Sequence, residues 1–215
     1  MKKKIKSSTI LLLIFISLTA FKNEKNHFDP GSTKMNLIGT QNTLWEVDWE
    51  HSSVCFTIVH LGIADVMGMF KKFNGKMEST GEDFTNAKIN ISVDVNSIDS
   101  NNEIRDKHLK SNDFFNAVKF PEMKFESNSF KKQKGNNYKL SGELTIRDIT
   151  KNATFNVEHL GTVMVTGIQK VAFRATTTIN RSDFNLNWNT TTPDGILIVG
   201  DKVTIALNLE MTKGI

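Results

Sequence analysis

The chain of 215 residues has a single cysteine and a formal net charge of +4, from 27 lysines and arginines against 23 aspartates and glutamates. One cysteine excludes an internal disulfide framework, so the fold depends on core packing. Four of the lysines lie in residues 1–20, and without them the two signs of charge balance at 23 each. The basic isoelectric point therefore does not indicate a nucleic-acid partner.

Residues 1–20 predict a cleaved secretory signal peptide. A basic head, Lys2–Lys6, precedes a short apolar run, Ile10–Leu18, and the small residue Ala20. The run is too short to span a bilayer, and Phe21 stands where a lipoprotein would have a cysteine. We therefore expect a periplasmic or secreted protein that is not a lipoprotein and keeps no stable membrane anchor after cleavage.

The next segment, residues 21–43, predicts a flexible leader, because polar and turn-forming residues dominate it and show no periodicity. Residues 44–215 predict one domain, since neither a long linker nor an internal repeat interrupts them. A domain of about 170 residues is large enough to bury a sizeable core.

Strand patterns fill this domain. Alternation of apolar and polar residues is typical of strands with one face in the core and one in water. It recurs along residues 54–60, 87–96, 138–147, 155–157, 171–179 and 203–210. Turn residues separate these runs at Leu61–Gly62, Asn74–Gly75, Lys134–Asn137, Leu160–Gly161 and Asp194–Gly195. About eight strands with short connections predict an all-β fold, either a sandwich or an antiparallel up-and-down barrel.

One charged segment, Ile104–Phe115, departs from the strand pattern. It predicts a short helix capped by Ser100 or Asn101. Such a helix is too short to be stable alone, so we expect it to lie on the end of the barrel. Its charges should remain in water, while the adjacent Phe114 and Phe115 help to close the pore.

Catalytic and metal sites find little support in the residue spacing. Asp106, His108 and Ser111 contain the residue types of a triad, but on one short helix they point in different directions. The histidines after residue 43 do not stand at spacings typical of metal sites. We therefore expect no catalytic residue, no metal and no cofactor.

The aromatic content leaves two alternatives open. Fifteen phenylalanines against one tyrosine indicate a strongly apolar interior. An eight-stranded barrel is just wide enough either to be filled by its own side chains or to hold one ligand. Strand periodicity does not distinguish a filled barrel from a hollow one.

A set of phrases follows in one order from Trp45 to Leu209. They are Trp45–Asp48, His51–Gly62, Val66–Phe70, Val95–Asp99, Arg105–Ser111, Asp113–Phe115, Phe120–Phe125, Gly142–Ile146, Ile179–Phe184 and Val199–Val203. In this order and spacing they resemble the YceI-like family of exported bacterial lipid-binding proteins. The resemblance implies a lipocalin-like antiparallel barrel with a long apolar pore, a polyisoprenoid or similar long-chain amphiphile as ligand, and no catalytic step.

Two positions depart from the family pattern. The family usually continues with His-Gly after Ile146, where this chain has Arg147 and Asp148. It usually has glycine after Phe184, where this chain has Asn185. Asparagine tolerates the left-handed backbone better than most residues, so we expect that turn to survive.

The resulting hypothesis is a carrier for a long-chain isoprenoid or similar lipid, held in the barrel pore. The pore lining is expected to come from Val54, Phe56, Ile58, Ile91, Val93, Phe114, Phe115 and Phe125. His60 and Arg181 are candidates to hold the polar head group, and a structural ion pair with Asp183 or another acid is the alternative for Arg181. Two other functions stay open: a structural or interaction module with a filled barrel, for which a homodimer is one form, and an enzyme that uses His60 or His108 on a bound lipid.

Overall fold

The structure, a computed structural model, describes residues 42–214, so the predicted signal peptide and most of the predicted leader lie outside the described residues. The strands are β1 Thr43–Val47, β2 Ser53–His60, β3 Ala64–Phe70, β4 Phe73–Ser79, β5 Lys88–Asp94, β6 Ile98–Asp99, β7 Glu122–Lys132, β8 Asn137–Ile146, β9 Ile149–Val165, β10 Ile168–Asn180 and β11 Val199–Lys213. The helix α1 is Glu103–Lys110. β1 begins at Thr43, one residue before the predicted start of the domain.

These strands form one closed antiparallel barrel. β1 and β2 act as one interrupted strand, because both pair with β11, through Val47 opposite Met211 and Val54 opposite Leu207. β3 and β4 act in the same way, since β3 pairs with β2 and β4 pairs with β1. The ring continues through β5, β7, β8, β9 and β10 to β11, which gives eight strands around the barrel. The prediction of an all-β antiparallel barrel with one short helix is confirmed.

Two predicted turns are wrong, because their glycines lie within strands instead. Asn74–Gly75 lies inside β4, where a Cβ on Gly75 would approach the Cδ1 of Ile91 to 2.3 Å. Leu160–Gly161 lies inside β9, where the pairing with β10 shifts register and the φ of Gly161 is 147°. The short strand predicted over 155–157 is therefore part of a strand of 17 residues.

One end of the barrel, which we call the closed end, is filled by aromatic side chains. Phe84, in the loop between β4 and β5, is 2 % exposed and packs edge-on against Trp45 at 5.7 Å and Phe173 at 5.3 Å between ring centroids. Phe130 stacks on Tyr138 at 4.6 Å beside them. Close packing of this kind fills the interior at this end with side chains.

The opposite end carries the helix. α1 begins after Asn102, whose side chain accepts a hydrogen bond from the backbone N–H of Arg105 at 2.9 Å. The predicted caps, Ser100 and Asn101, are therefore wrong by one or two residues. Within residues 42–214 no helix is long and apolar enough to cross a membrane.

An ion cluster ties the segment between β1 and β2, together with β11, to β10 on the outside of the barrel. The ammonium of Lys170 lies 2.9 Å from Asp48 Oδ2 and 2.6 Å from Glu210 Oε1. His51 Nδ1 lies 3.0 Å from the same oxygen of Asp48. Asp48, His51 and Glu210 bring their ligand atoms close enough together for a metal ion. The Lys170 ammonium bridges the two carboxylates, so the cluster is satisfied by a cation of the chain itself.

Replacing Asp48 with asparagine is expected to lower the free energy of unfolding by about 1–2 kcal/mol at pH 7. The hydrogen bond from Lys170, followed by that from His51, lowers the pKa of Asp48 from 3.8 to about 2 against the opposing effect of burial. A carboxyl whose pKa is lowered in the fold stabilises above its ordinary pKa and loses that contribution as the pH falls toward the folded value. Urea unfolding at pH 7 and near pH 2 should therefore show a loss for Asp48→Asn only at the higher pH. Asp65→Asn, at an exposed position, is the matched control, and equal losses at both pH values would contradict this account.

Candidate functional site

Between α1 and the closed end the barrel is hollow. The cavity has a volume of about 510 Å³. Its wall is formed by inward-facing apolar side chains of β2, β5, β7, β8, β10 and β11. Those strands alternate, and therefore each places every second residue on the cavity side. The barrel is thus filled at one end and hollow at the other, which neither of the two alternatives from the sequence anticipated.

All ten residues predicted from the sequence for the site border this cavity: Val54, Phe56, Ile58, His60, Ile91, Val93, Phe114, Phe115, Phe125 and Arg181. Ile91 and Phe125 face each other across the β5–β7 pair, and both are buried. Phe56 lies opposite Gly68, where an added Cβ would come within 2.4 Å of the phenyl ring. The structure brings the predicted residues together, and their contact with a ligand stays a prediction.

The predicted capping segment lies over the cavity. Phe114 is 6 % exposed and packs against Trp188 at 5.6 Å, while His108 lies edge-on to both rings at 5.1 and 5.3 Å. Phe115 packs edge-on against Phe70 of β3 at 5.9 Å. Phe114 and Phe115 both border the cavity, so the adjacent aromatics close the pore together.

The charged residues of α1 are used to fix the helix in place. Asp106 Oδ1 accepts hydrogen bonds from the backbone N–H and the hydroxyl of the buried Ser100, at 2.9 and 2.5 Å. Arg105 donates from Nε to the same hydroxyl at 2.7 Å. His108 Nε2 instead lies 2.9 Å from Asp113 Oδ2. Asp106 and His108 therefore have separate partners, in agreement with the expectation that their spacing does not form a triad.

Arg181 borders the cavity, but most of its donors are engaged by the chain itself, and its predicted contact with a head group stays a prediction. It is 2 % exposed and donates to the backbone oxygens of Gly200 at 2.8 Å, Val199 at 3.2 Å and Leu186, and to Asn189 Oδ1 at 2.8 Å. Four of its N–H donors are thus held by the loop before β11 and by the first two residues of β11, which leaves little for a head group.

The alternative expected for Arg181, an ion pair, is not found either. Asp183 Oδ2 accepts from Asn180, and within residues 42–214 no acid lies at ion-pair distance from Arg181. Burial lowers the pKa of the Arg181 guanidinium, while the charge of Asp201 acts in the opposite direction. The residue is a buried cation that organises carbonyl groups.

The two positions that depart from the family pattern meet beneath the capping segment. Arg147 Nη1 donates to the carbonyl of Phe114 at 3.0 Å and to that of Asn185 at 2.7 Å, and its guanidinium lies over the ring of Phe120 at 5.5 Å. Asn185 has φ 59° and ψ 26°, so the left-handed turn expected there is present. Arg147 therefore joins the capping segment to the loop after β10.

The polar part of the cavity wall is basic or neutral. It consists of His60, Asn102, Arg105, His108, Lys124 and Arg181. No acidic side chain of residues 42–214 borders the cavity. Of the two residues expected to hold a head group, His60 is the one whose side chain makes no hydrogen bond to another described residue.

Some lining residues were missed in the sequence. Leu140, Leu144, Ile205 and Leu207 lie on strands that were identified, and the alternation itself could have placed them in the pore. Leu186 and Trp188 lie in the loop before β11, in the run Phe184–Asn189 where apolar residues alternate with asparagines, so this alternation could have indicated them although no strand forms there. The interpretation of Cys55 as a buried small hydrophobe holds in part, since its side chain is half-buried beside the cavity.

Comparisons with known proteins agree with this geometry. The chain is 34 % identical over 172 residues to a UPF0312 protein of Staphylococcus aureus (strain N315), which covers 79 % of this chain and 98 % of that protein. The crystal structure of Burkholderia cenocepacia BcnA superposes with a TM-score of 0.65 at 26 % identity, over 76 % of this chain and 98 % of that one. A polyisoprenoid binding domain from Saccharophagus degradans shares the fold, with a TM-score of 0.58 at 11 % identity over 79 % and 98 % of the two chains.

A family model described as the YceI-like domain matches residues 45–211. That match runs from within β1 to residue 211, near the end of β11, and includes the capping segment and the loop before β11. The chain therefore belongs to the YceI-like family.

Proposed function

We propose that this protein binds a long-chain amphiphilic lipid, such as an isoprenoid, in the hollow half of the barrel and carries it in the periplasm or outside the cell. The observation that carries the proposal is the cavity of about 510 Å³ with an apolar wall. Its volume lies within the range of about 300–1,000 Å³ that is usual for small-molecule sites. The signal-peptide pattern of residues 1–20 supports the location.

The energetics favour a long ligand over a short one. Each buried methylene contributes about 0.8 kcal/mol, so about twenty of them contribute about 16 kcal/mol. Association itself costs about 4–15 kcal/mol in lost motional freedom. A short acyl chain would therefore bind weakly, whereas a long isoprenoid or acyl chain gives a useful net affinity.

The polar residues of the wall support a binding role rather than catalysis. Asn102, Arg105 and Arg181 are held by backbone groups or neighbouring side chains, and His108 is paired with Asp113. A head group that accepts hydrogen bonds would meet His60. An anionic head group would meet no repelling carboxylate, because no acid of the described residues borders the cavity. The shared fold of a polyisoprenoid binding domain from Saccharophagus degradans is consistent with this role.

Native mass spectrometry of protein purified without detergent tests the proposal. We expect a mass increment from a co-purified lipid, and uptake of a fluorescent long-chain prenol by protein from which that lipid has been extracted. A short-chain prenol with the same fluorophore is the control and should bind far more weakly. Protein that carries no lipid and takes up neither prenol would overturn the proposal.

A further inference from the structure

Four exposed aliphatic side chains lie on segments that border the cavity at the end opposite the closed end, and we call them the mouth fringe. Ile63 in the β2–β3 turn is 87 % exposed and Ile104 on α1 is 84 % exposed. Ile196 and Leu197, in the loop before β11, are 48 % and 42 % exposed. Single exposed apolar residues are ordinary, but these stand on three separate elements that border one opening.

The fringe is continuous with the apolar wall of the cavity. The backbone N–H of Leu61 donates to the carbonyl of Ile198 at 3.0 Å, which joins the β2–β3 turn to the loop before β11. Ile198 borders the cavity, and so does Ile104. Ile63 donates its N–H to the carbonyl of His60, another residue of the cavity wall, at 3.1 Å. An apolar chain that leaves the cavity therefore passes along the fringe.

The chemistry of the fringe indicates which partner covers it. Its members are all aliphatic, whereas protein–protein interfaces are usually anchored by aromatic or arginine side chains. The charges on the same elements are mixed, with Glu103 and Lys107 on α1 and Asp65 just after the turn. Neither sign dominates, so attraction to an anionic surface is not the main contribution.

We propose that the mouth fringe inserts into the surface of a lipid bilayer, so that the ligand moves between membrane and cavity without crossing water. This inference rests on the proposed function, because a long-chain ligand has to enter from a membrane. Each methylene exposed to water adds to the barrier against leaving the bilayer, and a docked mouth removes most of that exposure. The docking is apolar, so it should be insensitive to salt.

The test uses the double variant Ile63→Ser/Ile196→Ser, since neither side chain borders the cavity. Co-sedimentation with vesicles of pure phosphatidylcholine measures docking at low and at high salt. Burial of an isoleucine is favourable by roughly the equivalent of a tenfold change in binding, so the variant should bind vesicles at least about tenfold more weakly. The rate of transfer of a fluorescent long-chain prenol from vesicles to protein should fall in parallel.

The matched control is Val163→Ser/Met164→Ser, because these side chains are 59 % and 66 % exposed on β9 toward the closed end of the barrel. The control should dock and accept the prenol like the unaltered protein. Equilibrium affinity for the prenol in solution should be unchanged in both double variants, which separates docking from ligand binding.

Several outcomes would overturn the inference. They are absence of binding of the unaltered protein to phosphatidylcholine vesicles, equal losses in both double variants, and binding only to phosphatidylglycerol vesicles that disappears at high salt. A shift from dimer to monomer in the Ile63→Ser/Ile196→Ser variant, measured by light scattering, would assign the fringe to a second copy instead. Failure of the prenol to bind in solution, with docking to vesicles retained, would overturn the proposed function and leave the docking surface in place.

Discussion

Replacing Arg181 with methionine is expected to lower the free energy of unfolding by about 3–5 kcal/mol. The guanidinium holds the carbonyls of Leu186, Val199 and Gly200 and the side chain of Asn189 in a buried position. Methionine fills much of the same space without a donor, so these acceptors lose their partner where water reaches them poorly. Each buried polar group left unsatisfied costs about 1–3 kcal/mol.

Urea unfolding followed by circular dichroism measures this loss. Arg174→Met, on the strand β10 that ends just before Arg181, is the matched control. Arg174 pairs with Glu158 at 3.2 Å with both side chains about half exposed, and such pairs contribute little. Arg181→Lys should be intermediate, since one ammonium does not reach all four acceptors in the geometry of a guanidinium. If Arg181→Met kept its stability and lost only affinity for lipid, Arg181 would be the head-group ligand that the sequence first indicated.

The cavity wall could be predicted because strand periodicity ties the face of a residue to its position. Ile91 and Val93 are two residues apart on β5, and both therefore point into the barrel. The same argument placed Val54, Phe56 and Ile58 on one face of β2. A closed barrel has only one interior, so these faces necessarily meet.

The glycines and the buried arginine could not be assigned from sequence, because their roles depend on residues far away in the chain. Gly75 was interpreted as a turn residue, but its small size is required by Ile91 on the next strand. Gly161 likewise accommodates a bulge against β10. Arg181 was expected to face a ligand or an acid, and its partners include the carbonyls of Val199 and Gly200 at the start of β11, a pairing that no sequence pattern indicates.

Sequence also left the extent of the lumen undetermined, since a residue that faces inward can either meet another side chain or border empty space. At the closed end Phe84 fills the interior, because it reaches inward from the loop between β4 and β5, where its φ is 56°. A loop residue in a left-handed conformation has no periodic signature. The position of Phe84 therefore could not be predicted, although the apolar strands around it were.

The cavity itself is tested most directly by filling it. Ala175 of β10 is 6 % exposed and borders the cavity, with Val157 and Leu207 as its partners on the adjoining strands. Ala175→Trp places an indole in the volume proposed for the lipid chain. If the indole displaces about four methylenes of ligand, it removes about 3 kcal/mol of binding, which corresponds to a Kd about a hundredfold higher for a long-chain prenol. The fold should keep most of its stability, because the added ring occupies empty space rather than a packed core.

Thr178→Trp is the matched control, since Thr178 lies on the same strand and is exposed on the outer face. It introduces the same side chain without entering the barrel, so its affinity for the prenol should equal that of the unaltered protein. Ala175→Leu should fall between the two, because a smaller side chain displaces less of the ligand. A graded loss across Leu and Trp at position 175, with circular dichroism unchanged, would show that volume inside the barrel sets the affinity. Full affinity in Ala175→Trp would instead place the ligand elsewhere and favour a barrel that acts through its outer surface.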